Sequence, residues 1–256
     1  MSEFRYHLSV IRELGRRATE HPFTVLRAPI GTAAIVVGLW MLVRPSYGTR
    51  PAVLVLAGGG LLGWVLVGVH AAMRVSSPSV ARVTPATRLT LARGSVMALL
   101  LGYAVLPDVA VGWFAVAGYA VAALLDAVDG TLARATDSVS SLGARLDTEA
   151  DGLTVLTGAA LVVGIGAAPV WFLAVGIVRY VYVLLRAIRR YRRRPIVADE
   201  TRWLNSLLYA LLVVTMWLAL LPVTGHHLTL VVSATGILYL VNFGRSWLVT
   251  AGYRSP

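Results

Sequence analysis

Six of the chain's 12 acidic residues fall between positions 126 and 151, and their spacing points to metal-assisted chemistry. Asp126 and Asp129 are three apart and Asp147 and Asp151 four apart, so each pair shares one face of a helix. All four stand at the ends of apolar stretches. A carboxylate near the centre of a bilayer costs at least ~2.5–3.5 kcal/mol, less toward an end, so four together call for a compensating cation. Carboxylate oxygens are hard ligands and suit Mg²⁺ or Mn²⁺ rather than Zn²⁺. Gly143 begins the line that Asp147 and Asp151 continue, and a Ser/Thr-rich turn at 135–142 joins the two halves. Gly130 and Ala133 follow Asp126 and Asp129 at helical spacing and leave room for a flat or bulky ligand, while Arg134 can meet phosphate. For Gly130 or Ala133 alone, close helix packing is the better explanation; for the whole set it is not.

Arginines form a second candidate set. Arg179 and Arg186 are seven apart, about two helical turns, on one face of an apolar run, and Arg245 stands near the end of the last such run. A buried arginine needs a cavity or a carboxylate to face. The set could hold a phosphate on a small substrate, or Arg179 could pair with one of the clustered carboxylates. The run Arg189–Arg194, interrupted by Tyr191, is expected to hold its loop at anionic headgroups. His226 and His227 have no acid nearby and read as solvated loop.

The elements that must position these residues are apolar helices. The chain of 256 residues is 57% hydrophobic and 14% charged, against roughly 25% charged in soluble domains. With a mean hydropathy of +0.75, it falls in the membrane class. Eight stretches of bilayer-spanning length appear, near 23–43, 52–73, 88–106, 109–133, 146–166, 168–188, 203–221 and 228–249. The 23 basic residues are all arginine. They gather in the N-terminal tail and in alternate loops, around 74–88, 134–145 and 189–202, which leaves Arg44 and Arg50 for the outer side. That asymmetry predicts both termini and the acidic cluster on the cytoplasmic face, and it accounts for the net charge of +11 without nucleic acid. Phe4, Leu8, Ile11 and Leu14 beside Arg5, Arg12 and Arg16 predict an amphipathic surface helix, or a short helix packed on the loops. The N-terminal stretch does not read as a cleaved signal peptide. Ser76-Ser77-Pro78-Ser79 marks the best boundary, between an N-terminal extension (1–80) and a six-helix domain (81–256). Cysteine is absent, which excludes disulfides and thiolate chemistry.

The string Asp126-x-x-Asp129-Gly130-x-x-Ala133-Arg134, then eight residues, then Gly143-x-x-x-Asp147-x-x-x-Asp151, resembles the signature of the CDP-alcohol phosphotransferases at all eight defined positions. The resemblance covers residues 81–256 and implies a six-helix all-α membrane core, with two extra spans at its N-terminus. It implies a phosphatidyltransferase that moves a phosphatidyl-type group from a CDP-linked lipid to the hydroxyl of a small polar alcohol and releases CMP. By the same resemblance, Asp126, Asp129, Asp147 and Asp151 would hold two divalent ions, and Asp151 would also be the general base. Gly130, Ala133, Arg134 and Gly143 would receive the nucleotide, and Arg179, Arg186 and Arg245 a phosphorylated acceptor such as glycerol 3-phosphate or inositol phosphate. A homodimer in the cytoplasmic membrane is implied as well. Two departures stand out: Ala86 replaces the Asn usual after the Pro of the first core helix, and Tyr180 replaces the Glu that often follows Arg179 in glycerol-phosphate enzymes. Two alternatives stay open, a CDP-choline or CDP-ethanolamine enzyme with a diacylglycerol acceptor and a membrane cation transporter.

Overall fold

The computed structural model describes residues 51–73, 84–105, 108–135, 141–197, 201–222 and 228–253, and everything described is helix or short connection, with no strand. Seven α-helices follow in order: α1 (Pro51–Met73), α2 (Pro85–Leu100), α3 (Asp108–Ala135), α4 (Ser141–Gly164), α5 (Leu173–Tyr191), α6 (Arg202–Leu220) and α7 (Thr229–Thr250). They match seven of the apolar stretches. The stretch at 23–43, the surface helix at 4–14, the boundary at 76–79 and the loop with His226 and His227 lie outside the described residues.

The ends of these helices follow from local chemistry. Thr84 caps α2: its extended backbone lets Oγ1 accept the Thr87 N–H at 3.2 Å, and Pro85, which has no N–H to satisfy, takes the first helical position. α7 stops at Gly252, whose φ of +73° turns the chain so that Tyr253 N–H reaches back to Leu248 O at 2.9 Å. Three boundaries differ from the sequence expectation. Ser141 and Leu142, placed in a turn, form the first residues of α4. The stretch 88–106 tightens after Leu100 into a 3₁₀ segment, Leu101–Val105. The sixth apolar stretch begins with 3₁₀ turn Val170–Phe172 behind Pro169, and its helix continues to Tyr191. Hydropathy locates apolar runs but does not register the hydrogen-bond pattern at their ends.

Helix α4 is the centre of the assembly. It packs against α2, α5, α6 and α1, and its buried residues Leu146, Ala150, Val155, Ala159 and Leu161 belong to one continuous core. Side-chain hydroxyls tie it in place: Thr157 Oγ1 donates to Met97 O of α2 at 3.1 Å, and Tyr119 of α3 donates to Thr154 O at 3.2 Å. Helix α1 joins the same core through Trp64, whose indole lies against Gly94 of α2 and donates to Leu91 O at 3.1 Å.

Helix α5 is turned as a bilayer requires and water forbids. Its arginines 179, 186 and 189, with Tyr182 between them, recur at spacings of three and four on one face. Arg179, Tyr182 and Arg186 face an internal cavity. Val181 (44% exposed) and Leu184 (59%) face outward with Ile177 and Ile188. Apolar outside and charged inside is the arrangement of a lipid-embedded helix around a polar cavity. By length and composition alone, Val170–Tyr191 and Trp203–Leu220 qualify as membrane spans, with mean hydropathies of 1.7 and 1.8.

Candidate active site

Helices α2, α3 and α4 bring four charged side chains to one point. Asp126 comes from α3 and Asp147 and Asp151 from successive turns of α4. One oxygen from each lies within 4.8 Å of the others. Three anionic oxygens so close repel unless a cation stands among them. The donor set fits a hard divalent ion, since each side chain can turn a carboxylate oxygen to a common centre. Asp129 stands on α3 three residues after Asp126, followed there by Gly130, Ala133 and Arg134; the side chains of these four lie outside the described residues. Gly143 is in the first turn of α4, one turn before Asp147.

The fourth charge is Arg93 of α2, which is 1% exposed. Its Nη1 pairs with Asp126. Its Nη2 donates to Asp147 Oδ1 at 2.9 Å, to Asp151 Oδ1 at 3.1 Å and to the Asp147 carbonyl at 3.2 Å. Tyr209 of α6 donates its hydroxyl to the same Asp151 Oδ1 at 3.1 Å. The spacing of the acids predicts neither partner. For Arg93 a signal existed: a charge inside an apolar helix needs a counter-charge, and the acidic cluster offered one. For Tyr209 there was none.

The cluster opens into a cavity of about 640 Å³ between α4, α5, α6 and α7. Arg179 and Arg186 line it along with Asp126, Asp147 and Asp151, so one space holds both the carboxylates and the two arginines. Arg179 Nη2 stands 3.7 Å from Glu149, which is not a member of the cluster. Its stem crosses α4 at Gly152, where a Cβ would come within 2.5 Å of Arg179 Cδ and Nε. Arg186 lies over the Tyr182 ring at 5.8 Å, and its Nε is buried without a hydrogen-bond partner. Arg245 stands at the cavity's edge: it bonds Thr201 and donates at 3.3 Å to Oδ1 of Asn242, which lines the cavity. The opposite wall carries amides that sequence reading passed over, Asn205 and Asn242, joined by a 2.6 Å hydrogen bond. Amides inside two apolar helices are a readable signal, because each must find a partner there. The basic run 189–194 is fastened at its start, where Arg189 donates to Pro195 O at 3.1 Å and Ala251 O at 3.0 Å.

A helical core with outward apolar faces holds an acid-lined and arginine-lined cavity, an arrangement suited to a membrane-embedded site for charged ligands. Residues 83–242 match the sequence model of the CDP-alcohol phosphatidyltransferases, and the chain belongs to that family. It is therefore a phosphotransferase of phospholipid biosynthesis, from a membrane-integral and generally divalent-metal-dependent family that transfers a phosphatidyl group from a CDP-alcohol. No curated protein and no solved structure matches the chain.

Proposed function

We propose that the protein transfers a phosphatidyl-type group from a CDP-linked lipid to the hydroxyl of a small, phosphorylated polyol, with release of CMP, at the cytoplasmic face of the cell membrane. The observation that carries this reading is the shared cavity: Arg179 and Arg186 enter the same space as the three clustered carboxylates. An alcohol bearing a phosphate can rest that group on the arginines and turn its hydroxyl toward the aspartates.

In this reading Asp126, Asp129, Asp147 and Asp151 hold two divalent ions. When bound, such ions neutralise charge on the attacking and leaving oxygens of an in-line displacement. The chain's own groups do the rest. Asp151 takes the acceptor's hydroxyl proton. The contacts described for it, from Arg93 and Tyr209, both fall on Oδ1, which supports Oδ2 as the oxygen that takes the proton. Tyr209 holds that carboxylate in orientation. Gly130, Ala133 and Gly143 let the cytidine come close to the helices, and Arg134 meets its phosphate. The cytoplasmic placement of the site and of both termini rests on the arginine asymmetry, and a homodimer is proposed on family grounds.

The test is CMP release by detergent-purified protein supplied with CDP-diacylglycerol and Mg²⁺ or Mn²⁺. Acceptors are added singly: glycerol 3-phosphate, inositol 1-phosphate, inositol, serine and a buffer blank. We expect release with a phosphorylated acceptor and a loss of roughly 10²–10⁴-fold in Asp151→Asn, the range for a missing general base. Release with serine or free inositol only would remove the acceptor role of Arg179 and Arg186. Release only from CDP-choline or CDP-ethanolamine with diacylglycerol would reverse the roles of lipid and small alcohol.

A further inference from the structure

The carboxylate cluster carries a cation of its own, and the manner in which Arg93 is held there is unusual. Its side chain is buried and ion-paired to three carboxylates on two other helices, with Nη1 on Asp126 and Nη2 on Asp147 and Asp151, while its Nε has no hydrogen-bond partner. A buried guanidinium in a settled structural network normally has its N–H groups satisfied. Arg93 gives up some of that satisfaction in order to sit among the acids. The oxygens it takes, Oδ1 of Asp147 and Oδ1 of Asp151, belong to two of the three residues able to bring ligand atoms together for an ion.

We propose that Arg93 is a positioning residue that competes with divalent metal for the carboxylates of Asp126, Asp147 and Asp151, and thereby sets how tightly the cluster takes up metal. The inference rests on the proposed function only in placing metal at these acids. Charge makes the case. Three carboxylates and one guanidinium leave a net negative site, so a divalent ion is still attracted. A guanidinium and a metal ion on the same oxygens, however, repel at short range in a low-dielectric interior. One of them must give way. The carboxylates are fixed by short stems to packed helices, whereas Arg93 has a long stem with several rotatable bonds. Arg93 is the group that moves off the Oδ1 atoms, keeping the Asp147 carbonyl as an anchor for Nη2. Without Arg93, the acids repel one another when metal is withdrawn and bind it more tightly when it is supplied.

The experiment uses the full chain in detergent, stripped with EDTA and returned to buffer of fixed ionic strength. Mn²⁺ binding is followed by the free-ion paramagnetic resonance signal, and thermal unfolding is followed with and without Mn²⁺. Arg93→Gln is expected to bind Mn²⁺ about tenfold tighter or more, unfold at a lower temperature in EDTA, and gain more from Mn²⁺ than the native protein, since stabilisation by a ligand grows with its affinity. Arg179→Gln removes the same charge from the cavity beside the cluster but not from these oxygens, and is expected to change Mn²⁺ affinity less than about twofold at that ionic strength. If Arg93→Gln does not survive purification, Arg93→Lys serves: it keeps the charge but cannot fork across several carboxylates, so its Mn²⁺ affinity should rise above native. Mn²⁺ binding that is unchanged, weaker or absent in the Arg93 variants would overturn the proposal. Tighter binding in Arg93→Gln together with no CMP release from any donor would leave it standing and remove the proposed reaction instead.

Discussion

Gly152 shows how much depends on one missing methyl group at the residue scale. It follows Asp151 directly, and the stem of Arg179 crosses its Cα closely enough that any side chain would collide. Gly152→Ala leaves the carboxylates where they are and pushes the guanidinium out of line. The expected outcome in steady-state kinetics is an acceptor KM about tenfold higher, or roughly 1.4 kcal/mol of lost binding. The KM for the CDP-lipid should be nearly unchanged. Equal loss for both substrates would mean that Gly152 supports the helix rather than Arg179. The acids themselves were legible because their partners are three or four residues away on one helix. Arg93 was legible only as a charge in need of a counter-charge, since 54 residues separate it from Asp147, and Tyr209, 58 residues from Asp151, not at all. Spacing carries no information across such distances.

Among the elements, the joint between α1 and α2 bears most directly on the site. The family match begins at residue 83, so α1 precedes it, yet Trp64 belongs to the same buried core. Its ring lies on Gly94, the neighbour of Arg93, and its indole N–H is bonded to Leu91 O. Gly94→Ala puts a methyl group into that ring. Overpacking of this kind costs about 1–3 kcal/mol, read as a lowered thermal midpoint in detergent. Trp64→Ala in the Gly94→Ala background should recover part of the loss that the collision causes, because the two changes share one contact. No recovery would mean that α1 does not press on α2 at this point. Sequence reading found α1 from hydropathy and could give it no role, since nothing in an apolar run says which neighbour it meets.

At the scale of the whole molecule, the arginine asymmetry predicts an orientation that can be tested. The absence of cysteine makes this easy to examine, because any introduced thiol is the only one in the chain. Arg192→Cys, beyond the end of α5, should react with an impermeant maleimide only after the cytoplasmic side is opened. His226→Cys should react in intact cells. The reverse pattern would invert the orientation, and labelling of both sites from one side would break the helix count between them. The proposed cytoplasmic site depends on this result, because Asp126, Asp147 and Asp151 are tied to the same set of helix ends.

The residues decided a good deal before any folding. The spacing of Asp126, Asp129, Gly130, Ala133, Arg134, Gly143, Asp147 and Asp151 identified the family, because that signature is written in local periodicity along two consecutive helices. The apolar runs located seven of the described helices, because burial in lipid is a property of each stretch separately. Tertiary structure alone decided the rest: that Arg93 enters the acidic cluster, that Tyr209 holds Asp151, that Arg179 and Arg186 share a cavity with the acids while Arg245 turns to Thr201 and Asn242. Each of those outcomes is a meeting of side chains from helices distant in sequence. Such meetings are set by which faces α2, α5, α6 and α7 present to α4, and one helix's pattern does not specify its neighbour's.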